Sequence, residues 1–172
     1  MEFRKLKASE IEVRIATINQ KGLSLLLYKD ARVDQNILDE TVGSMNWMRH
    51  HSRDNANCTV SIWDDDKKQW IEKEDTGTES YTEKEKGLAS DSFKRACFNW
   101  GIGRELYSAP FIWVSAEDCN INHGGNGKFQ CFDKFIVEQI IYDDNRNIVA
   151  LSIKNTKTNK RVFLMDNRKK ES

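Results

Sequence analysis

Apolar and polar positions alternate with period two near the start of the chain. Ile11, Val13 and Ile15 are separated by Glu12, Arg14 and Ala16, the pattern of a strand with one buried face. Asn19-Gln20-Lys21-Gly22 reads as a turn, and the apolar run Leu23 to Tyr28 as a second strand. The period then changes. Val33, Ile37, Leu38 and Val42 share one helical face, and Gly43 follows as a stop, so a helix is predicted from about Asp34 to Val42. Three strand-like runs come next: Asn46 to His51, Cys58 to Trp63, and Gln69 to Lys73. Asp64 to Lys68 supplies a polar hairpin loop between the last two. The block reads as an antiparallel meander.

The strongest helical pattern runs from Ser80 to Trp100. Leu88, Ala89, Phe93, Ala96, Cys97 and Trp100 recur at helical spacing, and Gly101 ends it. Thr82-x-x-Glu85 and Ser80-x-x-Glu83 are two candidate capping boxes. Phe111 to Val114 reads as a buried strand after Pro110, and Asn120 to Lys128 as a polar loop. Phe135 to Tyr142, Asn147 to Lys154 and Lys160 to Met165 then form two hairpins. The predicted class is α+β: an antiparallel β-meander packed on a long helix, a β-β-β-α core, with C-terminal β-hairpins.

Composition narrows the function. The chain has 172 residues, a length that suits one domain at roughly 100–200 residues each. Lys and Arg total 27 and Asp and Glu total 27, so the formal net charge is zero. That excludes a uniformly cationic coat for nucleic acid but permits segregated charge. Ile62 to Glu85 is rich in acids, whereas Lys154 to Lys170 carries a single acid, Asp166, among its cations. No apolar run is long enough for a transmembrane helix, and Met1 to Lys7 lacks the apolar region of a secretory signal. Cys58, Cys97, Cys119 and Cys131 have no paired spacing and are expected to be reduced thiols of a cytoplasmic protein. Cys119-x3-His123-x7-Cys131 is the one candidate zinc triad, and Asp64-Asp65-Asp66 with Glu72 and Asp75 the one candidate metal site of a nuclease.

The long helix carries the most specific signal. Lys86, Ser90 and Lys94 stand at i, i+4 and i+8, forming one polar row suited to a line of phosphates. Arg95 follows Asp91 by four residues, in position for an intrahelical pair. The glycines at 101 and 103 follow a helix and lack a third partner, so they mark a tight turn and no dinucleotide site. No catalytic triad, phosphate loop or zinc-protease motif is present in the sequence.

Glu79-Ser80, then Glu85-Lys86-Gly87-x-Ala89-Ser90-Asp91-x-Phe93-Lys94-Arg95-Ala96, then Trp100-Gly101-Ile102-Gly103-Arg104-x-Leu106-Tyr107 resembles the signature of the Rad-fifty-two superfamily of single-strand annealing proteins. The likeness is to the bacterial and phage branch often termed Sak-like. Tyr28 to Val33, a helix, and Gly43-x-x-Asn46-Trp47 fit the same pattern upstream, and Asp75-Thr76-Gly77 resembles the end of that family's meander. The resemblance spans about Ile11 to Trp113. It implies an annealing-type core at 11–114 with a C-terminal hairpin extension at 129–165. It further implies homo-oligomers, typically rings, that bind single-stranded DNA and anneal complementary strands in recombination and repair, with no catalytic residue, metal or cofactor. By motif position, Lys94 and Arg95 match the phosphate-binding pair and Arg32 the basic residue before the first helix. Lys86 and Arg104 follow by proximity. Tyr28, Trp47, Trp63 and Trp70 are candidates to stack on bases, while burial in the core is expected for Trp47, Trp100 and Trp113. The rival readings are a metal-dependent nuclease and a structural assembly protein without DNA binding.

Overall fold

A computed structural model describes residues 1–78, 84–125 and 127–168, with the backbone alone for 84–86. The fold is α+β, dominated by antiparallel sheet. The chain divides into two compact units, one of Met1–Lys5 with Asp30–Arg104, the other of Leu6–Lys29 with the described residues from Glu105 on.

In the first unit, α1 (Ala31–Val42) is followed by β3 (Trp47–Ser52), β4 (Asn57–Asp64) and β5 (Gln69–Thr76), and then by α2 (Lys84–Trp100). The three strands form an antiparallel meander in the order β3-β4-β5. Helix α1 starts three residues before its predicted start, because Asp30 caps it by accepting the Arg32 N–H at 2.8 Å. Both candidate capping boxes of α2 lie outside the described residues. The far end of α2 is closed twice over. Gly101, at φ +96°, lets its N–H reach the Phe98 carbonyl and the Ile102 N–H reach that of Cys97, the paired bonds that finish a helix on a left-handed glycine.

Strand periodicity decides what α2 covers. Cys58, Val60 and Ile62 of β4 are buried, and register places Trp47, Arg49 and His51 of β3 and Ile71, Lys73 and Asp75 of β5 beside them. Against this face α2 sets Leu88, Ser92, Phe93, Ala96 and Cys97, all buried. Phe93 stacks on Trp47 at 6.1 Å. Full burial of a side chain of this size contributes roughly 1.5–3 kcal/mol. Gly77 makes the approach possible: a Cβ there would sit 2.6 Å from the Ser92 nitrogen and 3.0 Å from the Leu88 carbonyl.

The second unit is a six-stranded antiparallel sheet. It comprises β1 (Ile11–Asn19), β2 (Gly22–Lys29), β6 (Ile112–Ser115), β9 (Phe135–Tyr142), β10 (Ile148–Asn155) and β11 (Arg161–Asp166), in the order β11-β10-β9-β1-β2-β6. The sheet curls until its end strands β11 and β6 meet. Of the strands within the expected 11–114 core, β1, β2 and β6 share a sheet with the C-terminal hairpins of 129–165, joined through the Glu12–Ile136 pairing, while β3, β4 and β5 form their own. The predicted polar loop at 120–128 also carries structure. β7 (Ile121–His123) and β8 (Phe129–Cys131) pair across it, with the glycine-rich stretch as their turn. Beneath the large sheet, Glu105 is buried. It accepts the Leu6 N–H at 2.7 Å and the Arg146 guanidinium at 3.1 Å.

Candidate nucleic-acid interface

The cations singled out in the sequence have different surroundings. Arg32 lies in the first turn of α1, not before the helix, and forks onto the Asp30 carboxylate at 2.9 and 3.0 Å. Lys94, more than sixty residues on, extends from α2 toward the same carboxylate. Hydrogen bonding by Arg32, reinforced by the charges of Arg32 and Lys94, holds the Asp30 carboxyl at a pKa of about 2. Two cations therefore converge on one anion where α1 begins. Lys94 makes no hydrogen bond or ion pair among the described residues; it acts on Asp30 through its charge alone.

Arg95 points elsewhere. Its guanidinium lies 3.5 Å from the Asp75 carboxylate on β5, so the intrahelical pair with Asp91 does not form. Asp91 instead accepts the Thr78 N–H at 2.9 Å and the Thr78 hydroxyl at 3.2 Å. Arg104 closes the end of α2, donating to the carbonyls of Phe98 at 2.6 Å and Asn99 at 2.9 Å. The Phe98 carbonyl also accepts the Gly101 N–H and the Asn99 carbonyl the Lys73 ammonium at 2.8 Å, so Arg104 joins a set of donors that finish the helix. Ser90 is half-buried on α2, and the side chain of Lys86 lies outside the described residues.

Arg49 is a cation that motif reasoning missed. Its guanidinium sits 4.8 Å from the centre of the Phe93 ring, one residue from Lys94, and it has no carboxylate partner among the described residues. Period-two alternation along β3 was the available signal, since it places Trp47, Arg49 and His51 on one face. His51 is half-buried against Ser92 of α2, and its pKa is lowered by burial first and by Arg49 second. It is neutral at physiological pH and adds no charge to the site.

The aromatic candidates divide in the same way. Trp47 is half-buried, its indole N–H donating to Asp39 at 2.7 Å. Trp63 and Trp70 form an edge-to-face pair across β4 and β5 at 5.6 Å. Trp100 is half-buried, with the Lys73 ammonium 4.5 Å from its ring. Trp113 is not in the core as expected: β6 turns Ile112 and Val114 inward, and alternation forces Trp113 outward, where it stacks on the exposed Phe111 at 6.4 Å.

Two of the three acids of the hairpin are paired within it. Asp64 pairs with Lys67 at 2.9 Å and Asp65 with Lys68 at 2.8 Å. His123 packs on Phe129 at 4.4 Å, and burial, with Cys131 and Asp133 nearby, raises the Cys119 thiol to about 11. Among the described residues no three His, Cys, Asp or Glu side chains are grouped to hold a metal. No helix among them is long and apolar enough to cross a membrane. The chain matches no protein-family model, no curated protein and no solved structure.

Proposed function

We propose that this protein binds single-stranded DNA by its backbone and anneals complementary strands, acting as a homo-oligomer of the ring-forming kind. The observation that carries the reading is the convergence of Arg32 and Lys94 on Asp30 at the start of α1, with Arg49 on the adjoining β3. Cations of this kind neutralise phosphates without reading sequence. A strand held by its phosphates leaves its base edges open to a second strand. Annealing breaks no covalent bond, so the reading calls for no catalytic residue and no cofactor. The site is narrower than the motif alone implies: Lys94, Arg32 and Arg49 hold phosphate, while Arg95 and Arg104 hold α2. Acid-rich and base-rich blocks on one neutral chain suit head-to-tail association between copies.

The test is annealing of complementary oligonucleotides without added nucleotide. Wild-type protein accelerates duplex formation. The double variant Arg32→Ala/Lys94→Ala binds single strands more weakly, and the slope of log affinity against log salt falls by about 1.4, two phosphates at roughly 0.7 each. Unchanged binding and slope remove these residues from the site. A species of monomer mass by light scattering at micromolar concentration overturns the oligomer.

A further inference from the structure

The outward face of the six-stranded sheet carries a surface that the helix site does not use. Register defines it. Tyr28 of β2 lies beside Glu12 of β1, Glu12 beside Ile136 of β9, Ile136 beside Lys154 of β10, and Lys154 beside Arg161 of β11. One row therefore crosses five strands on one face. Toward β6 the face continues with Leu26, beside Arg14, and with Trp113, beside Ser24. Their inward neighbours Leu25, Ile112, Val114, Val137 and Ile153 are buried, so alternation leaves the outward set in solvent. Phe111 is 77% exposed, Leu26 48% and Ile136 48%.

The rings here are held in place. Trp113 lies so close over Gly22 that a Cβ there would meet the indole at 2.6 Å, and Phe111 stacks on Trp113 at 20° between planes. Arg14 lies 5.0 Å over the Tyr28 ring. Cations follow the rings along the row: Arg14, then Lys154 and Arg161. The carboxylates among them, Glu12 and Glu138, pair with Arg14 at 2.6 Å and Arg161 at 2.7 Å, in exposed ion pairs that a polyanion can exchange at little cost. Lys154 makes no hydrogen bond or ion pair among the described residues, and its charge reaches Glu138, helping Arg161 and Ser152 hold that carboxyl below its ordinary value.

We propose that this face is a base-stacking platform for single-stranded nucleic acid, with Phe111, Trp113 and Tyr28 taking bases and Lys154 and Arg161 taking phosphates. It rests on the single-strand reading above and adds a surface that contacts bases where the helix site contacts only backbone. Fixed rings beside cations suit a flexible polyanion with planar bases, because stacking tolerates every base and charge attraction follows the chain.

The experiment compares a labelled oligothymidylate with an abasic strand of equal length, by fluorescence anisotropy on the full chain. Wild type binds the thymidylate tighter by about tenfold or more, the scale of stacking one or two bases. Phe111→Ala/Tyr28→Ala, both at exposed positions, shrinks that gap several-fold. Arg32→Ala/Lys94→Ala weakens both strands alike and preserves the gap. Photocrosslinking of a 5-iodouracil strand to wild type marks Phe111, Trp113 or Tyr28. A gap unchanged in the Phe111/Tyr28 variant overturns the platform, as do crosslinks confined to α1, β3 and α2. If that variant alters self-association while the gap persists, the face belongs to a second copy and the platform is likewise overturned. Failure of wild type to bind either strand overturns the single-strand reading itself, a result visible without any variant.

Discussion

The two units of this chain keep their surface chemistry in different ways. In the helix-on-meander unit, the long helix brings its cations within reach of groups that consume them. Arg95 on α2 meets Asp75, and Arg104 just past its end meets the carbonyls of Phe98 and Asn99. In the six-stranded unit, alternation decides everything. Each strand sends every second residue outward, and the outward set includes Phe111, Trp113, Leu26 and Ile136 whether or not a partner exists. A helix terminus therefore spends charge on its own carbonyls and N–H groups, whereas a sheet satisfies its backbone within the ladder and leaves its outer face for other uses. A cation in a helix motif is evidence of a ligand only after the helix's own needs are subtracted.

The sharpest contrast comes from a buried charge. Arg146→Met leaves the Glu105 carboxylate in the six-stranded unit without its cation, and unfolding by denaturant should show a loss of about 3–5 kcal/mol. A stability change below about 1 kcal/mol would mean that Glu105 is not buried as an ion. Next comes the close approach in the helical unit. Gly77→Ala drives a methyl group into the α2 backbone at Ser92, with an expected cost of about 1–3 kcal/mol and weaker protection of α2 amides in hydrogen exchange. Arg104→Ala should cost about 1 kcal/mol through the lost helix-end bonds while single-strand affinity holds. A large fall in affinity with intact stability would return Arg104 to the binding site and erase the distinction between structural and available cations.

The smallest effect is in acid. Asp30 is held at about 2 in the folded protein against 3.8 ordinarily. A carboxylate with a depressed folded pKa contributes stability above its unfolded value and loses it as pH falls through the folded one. The contribution should fade between about pH 4 and pH 2, and Asp30→Asn should remove that part of the acid dependence. An unchanged acid profile would mean that Arg32 and Lys94 do not hold the carboxylate in solution.

Much of this was legible in the chain. The period-two runs at 11–18 and 58–63, the hairpin strand at 135–142 and the helical recurrence from Leu88 to Trp100 follow from backbone geometry and are elements of the fold, β1 with a register shift between Ile15 and Thr17. Gly101 as a helix stop was readable because few other residues adopt its left-handed conformation cheaply. Other features were out of reach of local pattern. The hairpin β7–β8 is too short, and its glycine turn too polar, to stand out from a loop. Trp113 sat in an apolar run that reads as buried on both faces, whereas the outward face of the sheet carries exposed residues and alternation turns Trp113 onto it. Arg49 belongs to no motif, and its place over Phe93 depends on how α2 crosses the meander.

The sequence by itself determined the longer elements, the α+β class and the helix on which a basic motif lies, because hydrophobic period and glycine placement act over a few residues. The tertiary structure decided which strands share a sheet, for that depends on long-range pairing such as Glu12 with Ile136. It also decided which charges remain available. What a cation meets depends on the groups that folding brings near it: of the neighbours Arg95 and Lys94, the first pairs with Asp75 at 3.5 Å and the second makes no ion pair among the described residues and acts on Asp30 through its charge.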